Sequence, residues 1–323
     1  MSLRRFVYLL CLGVLVCLAV WACGRNTDPG TTSSRPLLEE CRLIHHAMGE
    51  TCVPNRPQRL VALNVATLGN AIALGIQPIG TALEYNYQFP AYLRDKAADI
   101  PSLGTAQPSL ERIMLLQPGL IIGWKHNHET IYSQLTNIAS TVLYDWLNGI
   151  TEQNNWKQYF NFMANVLNRQ EIGQQVWQHY NQRIDQLKRN LGDRYQNKTI
   201  SFVNFCCGGM SSETENSFIG SILNDAGLQR PPSQRYNSAG VISFSEENLD
   251  MADGDVMFVV AYGGEDTGKR DLNILQQKPL WQNLKAVQQN RVYYVDPTIW
   301  RGRTPLAADA VIDDLYKYLV NTP

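Results

Sequence analysis

From position 59 onward, short apolar runs alternate with stretches whose apolar positions recur every three or four residues. Strands buried on both faces and amphipathic helices give this rhythm when they follow one another on a parallel sheet. Residues 59–63 read as the first strand, 66–74 as a helix ended by Gly75, and 76–81 as the next strand. After a proline-punctuated loop, 109–116 reads as helix, and 120–124 and 141–144 as strands. A polar-rich helical stretch then covers 155–191, in which Ile172, Val176, Tyr180, Ile184, Leu187 and Leu191 make one apolar stripe and Gly173 marks the expected break. Strands at 199–205, 256–262 and 291–295 resume the alternation, with helices at 217–226 and 306–320. The pattern predicts an α/β chain of two α/β lobes, 41–150 and 196–323, joined by one long helix over 151–195.

An internal echo supports two related lobes. Ser109, Leu110, Glu111, Arg112 and Ile113 lead through Pro118 and Gly119 to the strand at 120–124. At a constant offset of 136 positions, Ser245, Glu246, Glu247, Asn248 and Leu249 lead through Gly254 and Asp255 to a strand at 256–260. In both copies the serine suits a helix N-cap, and Glu111 or Glu247 sits in the first turn, where the helix dipole favours an acid.

The first residues change the picture from a plain globular chain to an exported one. Arg4 and Arg5 precede 17 residues, 6–22, without a charge, and Ala22, Cys23 and Gly24 end the run as a bacterial lipobox does, with Trp21 a bulky neighbour. Residues 1–22 are therefore read as a lipoprotein signal peptide and Cys23 as the lipidated residue. The Thr-, Ser-, Gly- and Pro-containing stretch 23–40 is read as a flexible tether. The expected location is the cell envelope, with the membrane touched through the lipid anchor alone. A formal charge of −1 with 18% charged residues gives no broad basic surface for nucleic acid. An oxidising compartment permits disulfides, and Met48-Gly49 offers a turn that pairs Cys41 with Cys52 across a hairpin. Adjacent Cys206 and Cys207 are read as two buried thiols.

Several motifs point to chemistry that the rest of the chain does not support. Gly263-Gly264-Glu265-Asp266-Thr267-Gly268-Lys269-Arg270 nearly spells a phosphate-binding loop but lacks the hydroxyl residue after the lysine and carries two acids. His126 and His128 are two apart on a loop, without the spacing of a zinc site. No G-x-S-x-G elbow or paired catalytic acids stand out, so no catalytic residue, resident metal or cofactor is assigned. The remaining signal is aromatic and cationic: Tyr85 and Tyr87 after one strand, Trp124, Lys125 and His126 after another, Asp145 and Trp146 after a third. In the second lobe Tyr262 ends a strand, and Trp300, Arg301 and Arg303 follow one. Ligands of open α/β sheets bind outside the carboxyl ends of the strands, so these residues suit one cleft for an anionic, partly apolar ligand.

The segments 59–80, 104–124 and 279–319 resemble the iron-siderophore and ferric dicitrate branch of the periplasmic binding proteins, the class with a helical backbone between its lobes (class III). The likeness rests on Gln107-Pro-Ser-Leu-Glu-Arg-Ile with Gln117-Pro-Gly-Leu-Ile-Ile, and on Pro279-Leu-Trp-Gln-Asn-Leu with Arg291-Val-Tyr-Tyr-Val, and it covers about 57–319. It implies a binder that passes a ferric siderophore to an ABC permease dimer, with the iron held by the chelator. Lys125, Arg301 and Arg303 then pair with carboxylate or hydroxamate oxygens, while Tyr85, Trp124, Trp146, Tyr262 and Trp300 pack the organic body. It further implies that Glu111 and Glu247 dock into arginine pockets of the permease. The alternatives are a haem or corrinoid binder with His126 as metal ligand, and a metal-dependent envelope enzyme using His126 and His128.

Overall fold

In a computed structural model, the residues described are 41–83, 88–105, 107–146, 155–206, 208–235, 240–263 and 267–322. The leader, Cys23, the tether, Tyr85 and Cys207 lie outside the described residues. The described chain begins with a hairpin of β1 (Cys41–His46) and β2 (Gly49–Pro54). A disulfide joins Cys41 to Cys52 with the Cα atoms 5.5 Å apart. The two cysteines are diagonal neighbours, since Cys41 faces Pro54 and Cys52 faces Leu43.

The first sheet is parallel throughout. It comprises β3 (Leu60–Ala62), β4 (Gly80–Thr81), β5 (Leu120–Trp124) and β6 (Ser140–Tyr144) in the order β4-β3-β5-β6. Helix α1 (Val65–Ala73) follows β3 and is capped by Asn64, which accepts from the Thr67 amide at 2.8 Å. The hairpin seals the free edge of β6: the Ala47 amide donates to the Leu143 carbonyl at 2.9 Å and the Thr51 hydroxyl to the Thr141 carbonyl at 3.0 Å.

Helix α2 (Leu110–Leu115) precedes β5, and the Ser109 hydroxyl accepts from the Arg112 amide, as an N-cap does. In the second lobe, Ser245 heads the 3-10 segment Glu246–Ala252 without a side-chain cap bond, and Asn248 kinks it. The echo survives the difference: Ile113 and Leu249 are buried, Glu111 and Glu247 are exposed, and the strands that follow begin at Leu120 and Val256.

The long helical stretch is two helices, α4 (Asn155–Val166) and α5 (Gln170–Leu191). The break lies at Asn168, which adopts φ 54°, and not at Gly173. Gly173 is buried inside α5, where a Cβ would lie 3.2 Å from Ala164 Cβ. Its smallness lets α4 and α5 approach, so glycine serves packing there and asparagine serves the turn.

The second sheet contains β7 (Ile200–Cys206), β8 (Gly209–Glu213), β9 (Val241–Phe244), β10 (Val256–Ala261) and β11 (Val292–Tyr294) in the order β11-β10-β7-β8-β9. A wholly parallel sheet was the expectation from sequence. Instead β7–β8 and β8–β9 pair antiparallel, because Gly208, at φ 77°, turns the chain back immediately after β7. Cys206 is half-buried and disulfide-bonded, which corrects the reading of two buried thiols. Helix α6 (Phe218–Asp225) covers this sheet. One buried cluster runs from Leu60, Leu120 and Val142 through Trp156, Phe160, Tyr180 and Leu187 to Phe202, Val256 and Phe258. The two sheets therefore share a close-packed core, which opposes large displacement of one against the other. Among the described residues no helix is long and apolar enough to cross a membrane.

Candidate functional site

The site begins where β5 turns into α3 (Lys125–His128). His128 pins this corner: it is 1% exposed, and its Nδ1 lies 2.9 Å from the Trp124 carbonyl oxygen. A Cβ on Gly123 would come within 2.8 Å of the same nitrogen, so the strand needs glycine there. Burial pushes the His128 pKa down to about 4, and the ring is neutral at ordinary pH. It is a structural residue of the corner, with Nδ1 held at the Trp124 backbone.

The corner presents a layered aromatic floor. The Trp124 ring stacks between His126, at a centroid distance of 5.5 Å, and Trp146, at 4.8 Å. Trp146 meets Tyr159 edge-on at 5.9 Å. Tyr159 is fully buried beneath, with its hydroxyl 2.5 Å from Thr67 Oγ1, and burial holds its pKa far above the usual phenol range. The Asn155 amide donates to the Trp146 carbonyl at 3.1 Å and fixes the outer end of the stack.

One arginine of the second lobe, Arg303, reaches this floor, and a second, Arg301, stands two positions before it. Helix α7 (Thr267–Gln276) follows β10, α8 (Pro297–Trp300) follows β11, and α9 (Pro305–Leu315) closes the chain; Arg301, Gly302 and Arg303 join α8 to α9. Asp296 caps α8 by accepting from the Thr298 amide, and Thr304 caps α9 by accepting from the Ala307 amide, so both sides of the short hook are fixed. Arg303 takes φ 54° and folds back, its Nη1 donating to the Arg301 carbonyl at 3.1 Å. Its guanidinium carbon then lies 5.7 Å from the Trp146 ring centre. The Arg301 guanidinium lies 4.2 Å from the Tyr262 ring centre and donates through Nε to Glu213 Oε1 at 3.3 Å. Burial lowers the His126 pKa, the Arg303 charge lowers it further, and Asp145 opposes both.

Of the residues the sequence assigned to the cleft, Trp124, Trp146 and Arg303 converge in one cluster and Arg301 and Tyr262 in a second beside it. Half-buried Lys125 adjoins Trp124 at the start of α3 and makes no ion pair among the described residues. Trp300 is a correction. It is 0% exposed, packs on Phe258 and Phe202 at 4.4 and 5.7 Å, and donates to Asp314 Oδ2 at 2.8 Å. Trp300 faces the sheet because the capped turn of α8 directs Arg301, and not the residue before it, outward. Sequence reasoning missed Glu213, which lies on an unforeseen strand, and Gly302. The near phosphate loop has a packing explanation: a Cβ on Gly268 would lie 2.2 Å from the Phe205 carbonyl oxygen, so glycine lets α7 start against the strand ends.

Comparison with known proteins gives the family. The chain is 30% identical to the probable siderophore-binding lipoprotein YfiY of Bacillus subtilis, over 99% of this chain and all of that one. It is 28% identical to the Fe(3+)-citrate-binding protein YfmC of the same organism, over 98% of each chain. Staphylococcus aureus SirA complexed with staphyloferrin B superposes with a TM-score of 0.73 at 25% identity, covering 86% of this chain and 98% of that one. Residues 60–299 match the periplasmic binding protein family, and the chain, with two α/β lobes joined through a helical backbone, belongs to it.

Proposed function

We propose that the protein captures a ferric siderophore of carboxylate or hydroxamate type outside the cytoplasmic membrane and delivers it to an ABC importer. The observation that carries this reading is the meeting of Arg303 from one lobe with the Trp124–Trp146 stack from the other, with Arg301 next to it in the same hook. Guanidinium forks pair with anionic oxygens, and the aromatic floor shields those pairs from water while packing the organic body. The names of the relatives agree in ligand class. No bond is made or broken in this function, and the iron is cargo held by its chelator.

The test is a titration of intrinsic fluorescence with ferric citrate, a ferric trihydroxamate, a ferric triscatecholate and haem. Saturable quenching by one of the first two supports the reading. Binding of haem alone, with a shifted absorption band that His126→Ala removes, overturns it.

Two further assignments belong to the same reading. Cys23 carries the lipid, so Cys23→Ser releases mature protein from membranes; retention through an uncleaved leader would refute this. Exposed Glu111 and Glu247 dock the two permease subunits, as the echo of the two lobes suggests. Their exchange for alanine leaves ligand affinity unchanged and lowers transport in reconstituted vesicles, further for the pair, because a charge pair closed off from water is costly to break.

A further inference from the structure

Glu213 ends β8, the first antiparallel strand of the second sheet, and its side chain is only 9% exposed. A carboxylate at that depth needs charged partners. It has two. Arg230, which is 1% exposed, donates through Nη2 to the Glu213 backbone carbonyl at 2.8 Å and feels the Glu213 charge. Arg301, whose side chain is 24% exposed, donates through Nε at 3.3 Å. One arginine is locked in the core by bonds to Ile200, Ser212 and Glu213. The other stands at the site.

The way Arg301 is held decides what it has left to offer. Glu213 takes the side-on Nε–H and Tyr262 takes the flat face. Nη1 and Nη2 have no partner among the described residues. Those two nitrogens are the end of the guanidinium that meets a pair of anionic oxygens in parallel. A side chain already fixed at Nε and by its face also loses less rotamer freedom when a ligand arrives.

We propose that Glu213 is the positioning residue of this site: it holds Arg301 by Nε so that Nη1 and Nη2 form a preorganised fork for a carboxylate or hydroxamate oxygen pair of the chelate. Glu213 does not touch the ligand. The inference rests on the reading of the cleft as a ferric-siderophore site and names the group that fixes its anion contact.

The experiment is a double-mutant cycle read by fluorescence titration with ferric citrate, with the melting temperature of every variant recorded. Glu213→Ala is expected to weaken binding by about five- to tenfold. Glu213→Gln, which keeps an oxygen to accept the Nε–H, recovers most of that loss. In the Arg301→Ala background, Glu213→Ala has no further effect. A loss that persists without Arg301, a glutamine that fails as alanine does, or an Arg301→Ala variant with wild-type affinity overturns the proposal while leaving the binder reading in place. Failure of the wild-type protein to bind any of the ferric chelates overturns the reading itself. Because Glu213 also faces Arg230, its alanine variant can misfold. The wild-type protein then supplies the answer through the NMR signal of the Arg301 Nε–H on adding diamagnetic gallium citrate. A protected signal that stays in place while Nη protons become protected supports the proposal; loss of the Nε–H signal on binding overturns it.

Discussion

Gly302 separates the two arginines of the hook, and adding one methyl group there tests whether their spacing matters. A Cβ at 302 would lie 2.4 Å from Ala307 Cβ and 2.9 Å from both the Thr298 carbonyl oxygen and the Tyr92 hydroxyl. Carbon atoms pack at about 3.5–4.0 Å, so Gly302→Ala must move the hook or the start of α9 by about 1 Å. Overpacking of this kind costs about 1–3 kcal/mol, which lowers the melting temperature by a few degrees. A displacement of that size also takes an arginine out of hydrogen-bond range of a bound chelate. One charged hydrogen bond is worth about 1.5–3 kcal/mol, so affinity for the ferric chelate should fall about tenfold to a hundredfold although no charge has changed. The assay is quenching of Trp124 and Trp146 fluorescence on the folded variant, alongside differential scanning fluorimetry. Gly119→Ala is the control, since a Cβ there meets nothing within 4 Å. Wild-type affinity in a folded Gly302→Ala protein would show that neither Arg301 nor Arg303 depends on the spacing, and would refute the hook as the source of the anion contact.

Two other outcomes follow from burial. His128 has a pKa lowered by burial from 6.5 to about 4, so the folded chain binds this proton less readily than the unfolded chain. Its contribution is full above pH 6.5 and is lost as the pH falls toward 4, an upper bound of about 3 kcal/mol; the melting temperature should show this acid shoulder, and His128→Gln should remove it. Trp300→Phe deletes the indole N–H that reaches half-buried Asp314, so stability should fall by about 2–3 kcal/mol in denaturant unfolding while chelate affinity of the folded protein stays within about twofold. A large affinity loss without a stability loss would return Trp300 to the cleft.

Much of this protein was legible in the order of its residues. The runs at 120–124 and 141–144 are apolar, as strands covered on both faces must be, and they became β5 and β6. The echo between Ser109 and Ser245 placed Glu111 and Glu247 on corresponding exposed turns, although only Ser109 makes the cap bond that the pattern predicts for both. Aromatic and cationic residues after strands pointed to the cleft, since strand direction fixes which sheet edge those residues occupy. What local pattern does not carry is direction beyond the next turn. Trp300 and Arg301 are adjacent, yet one fills the core against Phe258 and the other meets Glu213, a choice made by how α8 docks on the second sheet. Gly173 and Asn168 both look like helix breakers, and only the contact with Ala164 decides that the glycine packs while the asparagine turns. Glu213 reaches Arg301 across 88 positions from a strand that exists because the chain turns back at Gly208. The sequence alone determined which segments become strands and helices and which residues have the chemistry for an anionic ligand, because those depend on neighbours within a few residues. The tertiary structure decided which of those residues touch, Arg303 with Trp146 and Arg301 with Tyr262 and Glu213, because that depends on groups brought together only by packing.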